Sequence, residues 1–192
     1  MITKMEMKQE IIDICKEQPI ETAALLTIIS VETPGQGFDE HTGKILIQFE
    51  PVWFRRKAPY APSGLWSVNK VDVQAKEWLA FNDAFAKNAD AAMQATSIGL
   101  GQIMGLHYKR LGYKFVGDMW DDAKKGIKQQ IKQLVKFIQT DEKLQSAIEH
   151  HNWTDVAEIY NGKGFREIAV KYHRVPYDKA LEDAYYQFRN LK

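Results

Sequence analysis

At 192 residues, 45% hydrophobic and 11% aromatic, the chain is long enough for one compact domain with a sizeable core and is far from a disordered composition. A net charge of +1 excludes a strong overall field toward polyanions, and the single cysteine, Cys15, excludes an internal disulfide and any multi-cysteine metal site. The N-terminus "MITKMEMKQEIIDICKEQ" is charged throughout and no run of about 18 apolar residues occurs, so neither a signal peptide nor a membrane span is expected and the chain reads as a soluble cytosolic protein.

Residues 5–17 predict an amphipathic helix with Met5, Ile11, Ile12 and Cys15 on its apolar side. Pro19 suits the start of a second helix, which carries Ile20, Ala23, Ala24, Thr27, Ile28 and Val31 at helical spacing. Leu25, Leu26 and Ile29 make its opposite side apolar too, the mark of a central, buried helix. Pro34, Gly35 and Gly37 end it. The "HTG" at 41–43 suits a hairpin turn, 44–49 alternates like a strand closed by Pro51, and 55–70 reads as loop. Further helices are expected at 72–86, 89–96, 98–104, 118–139, 141–149, 153–160 and 177–190, with loops at 161–165 and 173–176. With no repeat, low-complexity run or linker, the expectation is one mainly α domain over 1–192, with a small β element inserted after a central buried helix and no separate second domain.

Between Thr22 and Val31 no residue is charged; Glu32 follows, and then Thr-Pro-Gly. A carboxyl at the end of such a helix is partly desolvated, which raises its pKa toward neutrality. A Glu that stays protonated at neutral pH can give its proton to a leaving oxygen, the acid step of glycoside cleavage. The competing reading is a first solvated residue after the helix. "SIGLGQIMG", Ser97 to Gly105, sets Gly99, Gly101 and Gly105 around Gln102. Glycines admit close approach of a ligand to the backbone, and equally close helix packing; Gln102 is a candidate hydrogen-bonding partner for a sugar. "AEIYNGKGF" offers the face and hydroxyl of Tyr160, while Asn161 and Gly162 also suit an ordinary helix end.

The order of these blocks resembles the lysozyme superfamily, in which goose-type lysozymes and soluble lytic transglycosylases carry an E-S/T block, a G-L-x-Q-I/V block and an A-Y-N block at similar intervals. The closer resemblance is to the N-acetylmuramidase domain of phage endolysins, which reads V-E-S/T-x-G-x-G-F, K-I-L-F-E, S-W-G-x-x-Q-I-M-G and Y-N-G. This chain has "VETPGQGF", "KILIQFEPVWF", "SIGLGQIMG" and "YNGKGF", a match running from about Glu21 to the C-terminus. Two departures stand out: Ile98 replaces the family's Trp, and "ILIQFE" is two residues longer if Glu50 is the equivalent acid.

The resemblance implies a lysozyme-like α+β fold and a peptidoglycan glycosidase that cuts the β-1,4 bond between N-acetylmuramic acid and N-acetylglucosamine. Glu32 is then the general acid. Gln102, Tyr160, Asn161, Met104 and Gly101 are the expected substrate contacts. The second carboxylate is expected at Glu50, with Asp39 and Glu40 as rivals; if none serves, the sugar's own N-acetyl group assists. Trp53, Phe54, Tyr60 and Trp66 follow, some suited to sugar stacking and most to a core.

Histidines 41, 107, 150, 151 and 173 show no metal-ligand spacing, so no metal and no cofactor are expected. "NWT" places Asn152 as the N-cap of the helix that begins at Trp153. An endolysin that waits in the host cytoplasm until the membrane is breached, and then acts as a monomer on the wall from the periplasm, fits these features. A lytic transglycosylase forming anhydro-muramic ends and a non-catalytic wall-binding module are the alternatives; nucleic acid is not an expected partner. Lys124, Lys128, Lys132 and Lys136 form an i, i+4 row that reads first as a solvated helix face. Residues 105–139 nevertheless hold eight basic and three acidic residues, a local net of +5 that suits contact with an anionic wall or outer membrane.

Overall fold

The computed structural model describes residues 4–70 and 73–190. In chain order the elements are α1 (Lys4–Glu17), α2 (Thr22–Glu32), β1 (Ile47–Phe49), α3 (Pro51–Lys57), α4 (Gln74–Lys87), α5 (Ala89–Gln94), β2 (Thr96–Ile98) and β3 (Ile103–Met104). Then come α6 (Val116–Lys124), α7 (Ile127–Gln139), α8 (Glu142–Glu149), α9 (Trp153–Asn161), α10 (Phe165–Lys171) and α11 (Tyr177–Phe188). The fold is mainly helical with one small three-stranded antiparallel sheet, as expected. Its contacts divide it into two compact units, one from Gln36 to Leu134 and the other made of the segment up to Gly35 together with Val135 onward.

The second unit is built around α2. Ala24, Leu25 and Ile28 have no exposed surface and Ile29 has 1%, so this helix is buried all round, as its uncharged sequence requires. α1 and α11 pack on it, and α9 packs on α11. α2 stops where Thr33 N donates to Ile29 O (3.2 Å) and Gly35 takes a φ of +82°. Asn152 caps α9 through Oδ1, which accepts from Asp155 N (3.2 Å), as its sequence context predicts.

The other unit holds the sheet. β1 pairs with β2 through Ile47↔Ile98, Gln48↔Ser97 and Phe49↔Thr96; β2 pairs with β3 through Ser97↔Met104 and Ile98↔Ile103. Ile47, Ile98 and Ile103 form the buried row; Gln48, Ser97 and Met104 form the half-buried row on the opposite face. The "HTG" turn is a hairpin turn: Phe38 bridges Ile45, and Gly43 takes a φ of +66°.

Four expectations are corrected. Residues 98–104 are not a helix but the end of β2, a turn over 99–102 and β3, because Gly99 (φ +67°) and Gln102 (φ +44°) adopt backbone angles no right-handed helix allows. The 118–139 helix is two, α6 and α7, divided at Gly126 (φ +151°). Pro51 opens a helix instead of closing a strand into loop: it occupies the first turn of α3, where its missing N–H costs nothing. The strand is shorter than 44–49, with Ile45 held only by its bridge to Phe38. The Met5 side chain and the expected helix start at residue 72 lie outside the described residues.

Candidate active site

Glu32 is the last residue of α2, and Tyr177 is the first of α11, the helix packed along it. The Tyr177 hydroxyl donates a hydrogen bond to Glu32 Oε1. Behind it, Tyr160 lies nearly parallel to Tyr177 (centroids 6.4 Å apart, 21° between planes) and meets Phe137 edge-on (5.6 Å, 74°). Glu32 is half-buried at the end of α2. Burial pushes its pKa from 4.5 up to about 7, against the opposing pull of the Tyr177 hydrogen bond. The phenols respond in the same sense. Both stay protonated, raised by burial and then by the Glu32 charge.

Two ties hold Tyr177 in place. The neighbouring Asp178 accepts from Arg166 Nη2 on α10 (2.5 Å) and from Thr154 Oγ1 on α9 (3.3 Å). The start of α11 is thus fixed by the two preceding helices, and the Tyr177 ring with it. Asn161 is exposed at the end of α9, where Gly162 (φ +86°) terminates the helix by donating from its N to Glu158 O (3.0 Å).

The remaining expected residues belong to the unit with the sheet. Glu50 follows β1 in extended backbone and precedes α3. Its Oε1 accepts from Gln48 Nε2 (2.7 Å). Burial raises its pKa; the Gln48 hydrogen bond opposes this, and the Glu77 charge adds to it. Met104 shares the half-buried sheet face with Gln48 and Ser97. Gln102 sits in the β2–β3 turn and donates from Nε2 to Gly99 O (2.8 Å). The turn is gripped by Gln130, 2% exposed, which accepts from Leu100 N (2.8 Å) and donates to Ala123 O (3.0 Å).

The glycines here serve packing. A Cβ on Gly99 would fall 2.8 Å from the Gln130 side chain, and one on Gly101 would fall 3.0 Å from Leu134. Of the rivals to Glu50, Asp39 is spent on its own loop, accepting from Thr42 N (2.8 Å) and Thr42 Oγ1 (2.7 Å). Glu40 is exposed and accepts from Gln36 (2.8 Å). Phe54 and Trp66 are core residues, 0% and 1% exposed, whereas Trp53 and Tyr60 face solvent.

The structure therefore joins Glu32 to Tyr160, as the sequence blocks suggest, and adds Tyr177, which no motif marked. It joins Glu50 to Gln48 and to the sheet face that ends in Met104. The only sequence sign of Tyr177 is an aromatic at the start of the last helix, after Pro176.

A carboxyl that is protonated near neutral pH and fixed by a phenol, at the end of a buried helix in a mainly helical fold, has the chemistry of a glycosidase acid. The profile of the N-acetylmuramidase family matches residues 21–189, spanning both units, and the chain belongs to that family. It is thereby a glycoside hydrolase with peptidoglycan as its substrate. The crystal structure of Burkholderia AP3 phage endolysin is similar at a TM-score of 0.78 and 28% identity, covering 95% of this chain and 70% of that one. No curated protein matches the chain.

Proposed function

We propose that this chain is an endolysin that cuts the β-1,4 bond between N-acetylmuramic acid and N-acetylglucosamine, with Glu32 as its general acid. The observation that carries the reading is the Glu32 carboxyl, pushed to about 7 by burial and held by Tyr177. Because Oε1 accepts the Tyr177 bond, the acidic proton resides on Oε2. Oε2 gives it to the glycosidic oxygen as the bond from that oxygen to the anomeric carbon breaks. The Tyr177 O–H then stabilises the new carboxylate until a proton returns from solvent.

Glu50 is the second carboxylate, directing water or stabilising the oxocarbenium ion. Tyr160, Asn161, Gln102 and Met104 contact sugar, and Gly101, which lies too close to Leu134 for a side chain, lets the turn that carries Gln102 pack down. The family match across both units supports one catalytic domain over the matched residues. The similarity to a phage endolysin supports action on the host cell wall; accumulation in the host cytoplasm until the membrane is breached, and action as a monomer, complete the proposal.

Digestion of purified peptidoglycan by wild type and Glu32→Gln, read by mass spectrometry, tests this. Reducing muramic ends that vanish in the variant are expected. Anhydro-muramic ends would make the chain a lytic transglycosylase, in which the muramic 6-hydroxyl replaces water. Equal digestion by both proteins would remove Glu32 from the mechanism, and no digestion by either would favour a binding module.

A further inference from the structure

Glu77 on α4 is 1% exposed, and a carboxylate is rarely buried so deeply unless hydrogen bonds compensate for lost hydration. Its Oε2 accepts from Phe49 N (2.8 Å) and from Asn69 Nδ2 (3.0 Å). Asn69 Nδ2 also donates to Phe49 O (3.2 Å). One helical turn earlier, Gln74 does the same for Ile47: its Oε1 accepts from Ile47 N (3.0 Å) and its Nε2 donates to Ile47 O (2.9 Å). β1 has β2 on one side only, so its other edge presents backbone groups that need partners. Gln74 and Glu77, three apart and on one helix face, stand in for a missing strand.

This substitute strand ends at the residue before Glu50. On the opposite edge, Glu50 N donates to Ala95 O (2.9 Å). The backbone that launches the Glu50 side chain is thus clamped on both sides: by the sheet at Glu50 itself and by Glu77 with Asn69 at Phe49. A leucine at 77 would fill similar space but leave the Phe49 N–H unpaired in a buried setting, which releases the clamp where it meets Glu50.

We propose that Glu77 is the positioning residue for Glu50: its carboxylate, with Asn69, fixes the end of β1 and so the direction in which the Glu50 carboxyl leaves the sheet. The inference rests on the reading of Glu50 as the second carboxylate. It adds a residue that touches no substrate and acts through the backbone.

The test compares Glu50→Gln, Glu77→Leu, Glu77→Gln and Asn69→Ala on peptidoglycan, with kcat and KM separated and near-UV circular dichroism as the fold check. Glu77→Leu is expected to lower kcat about tenfold to a hundredfold, the scale of a roughly 1 Å misplacement, with KM nearly unchanged. Glu77→Gln keeps an acceptor for Phe49 N and is expected to restore most of kcat. It also removes the neighbouring charge, so the Glu50 carboxyl carbon, followed by NMR, titrates at lower pH than in wild type. Asn69→Ala should fall between the two.

A Glu77→Leu kcat within twofold of wild type, beside a Glu50→Gln kcat lowered about 10²-fold, would overturn this proposal and leave the role of Glu50 intact. An Asn69→Ala kcat within twofold of wild type would overturn it as well, since Asn69 holds both Phe49 O and Glu77 Oε2. That readout decides the matter if Glu77→Leu fails to fold. Full activity in Glu50→Gln would sink the reading of Glu50 and the proposal together.

Discussion

Each of the two units holds a candidate catalytic carboxyl whose pKa is raised by burial, and each does so with different materials. Around Glu32 the partners are phenols and apolar helix: Tyr177 donates one hydrogen bond, and Tyr160 and Phe137 close the surroundings. Around Glu50 the partners are amides, a sheet edge and a second carboxylate: Gln48, the Ala95 carbonyl and Glu77. Burial raises both pKa values, that of Glu32 to about 7. A single donor in an apolar wall suits a group that must hold a proton and release it. A polar frame suits a group whose direction matters.

The largest expected effect breaks the comparison at Glu32. Glu32→Gln removes the acid proton and should lower kcat by about 10³-fold or more, the scale of a lost general acid. The same variant should be more stable than wild type at pH 8. The folded-state pKa is raised, so between 4.5 and about 7 the folded protein binds more protons than the unfolded chain, and its stability falls as pH rises through that window. Above it, the ionised Glu32 costs at most about 3 kcal/mol, which glutamine avoids. Thermal melts at pH 8 and at pH 4 check this, with a gain at the first and little at the second.

Glu50→Gln comes next, with an expected loss of about 10²-fold in kcat, measured on the same peptidoglycan. A loss equal to that of Glu32→Gln would erase the distinction between the two groups. Tyr177→Phe sharpens it. The lost hydrogen bond is the influence that lowers the Glu32 pKa, so the fall in activity on the alkaline side should move upward from about 7. The accompanying loss in kcat should be about tenfold, from the unassisted carboxylate.

Away from both carboxyls, Gly99→Ala should destabilise the unit with the sheet by about 1–3 kcal/mol, read by urea unfolding. A Cβ there meets Gln130 in a backbone conformation side chains rarely adopt. The smallest effect is that of salt. Lys124, Lys128, Lys132 and Lys136 are exposed, so activity on whole walls should fall a few-fold between low salt and about 0.3 M, where screening is strong. A flat profile would confine the basic row to solvation.

How much of this was legible in the sequence differs from residue to residue. The burial of α2 was, because a run without charges leaves no face for water, and Glu32 followed from the same run. Asn152 was, because a cap acts within three residues. Tyr177 was not: it lies 145 residues from Glu32, and nothing local to it signals that partner. The β2–β3 turn looked helical because Ile98, Gly101, Gln102 and the apolar residues around them keep helical spacing, while the deciding feature, positive φ at Gly99 and Gln102, is fixed by Gln130 thirty residues on. Pro51 was ambiguous by nature, since both a strand end and a helix start accept it. Glu77 carried no sign either, because its partner is a backbone N–H twenty-eight residues away.

The central claim is that Glu32 keeps its proton at neutral pH. The most direct measurement is an NMR titration of the Glu32 carboxyl carbon in the folded protein, assigned by its loss in Glu32→Gln. The expected midpoint is near 7, moving upward in Tyr177→Phe. A midpoint near 4.5, unchanged by Tyr177→Phe, would mean an ordinary ionised carboxylate and would contradict the account.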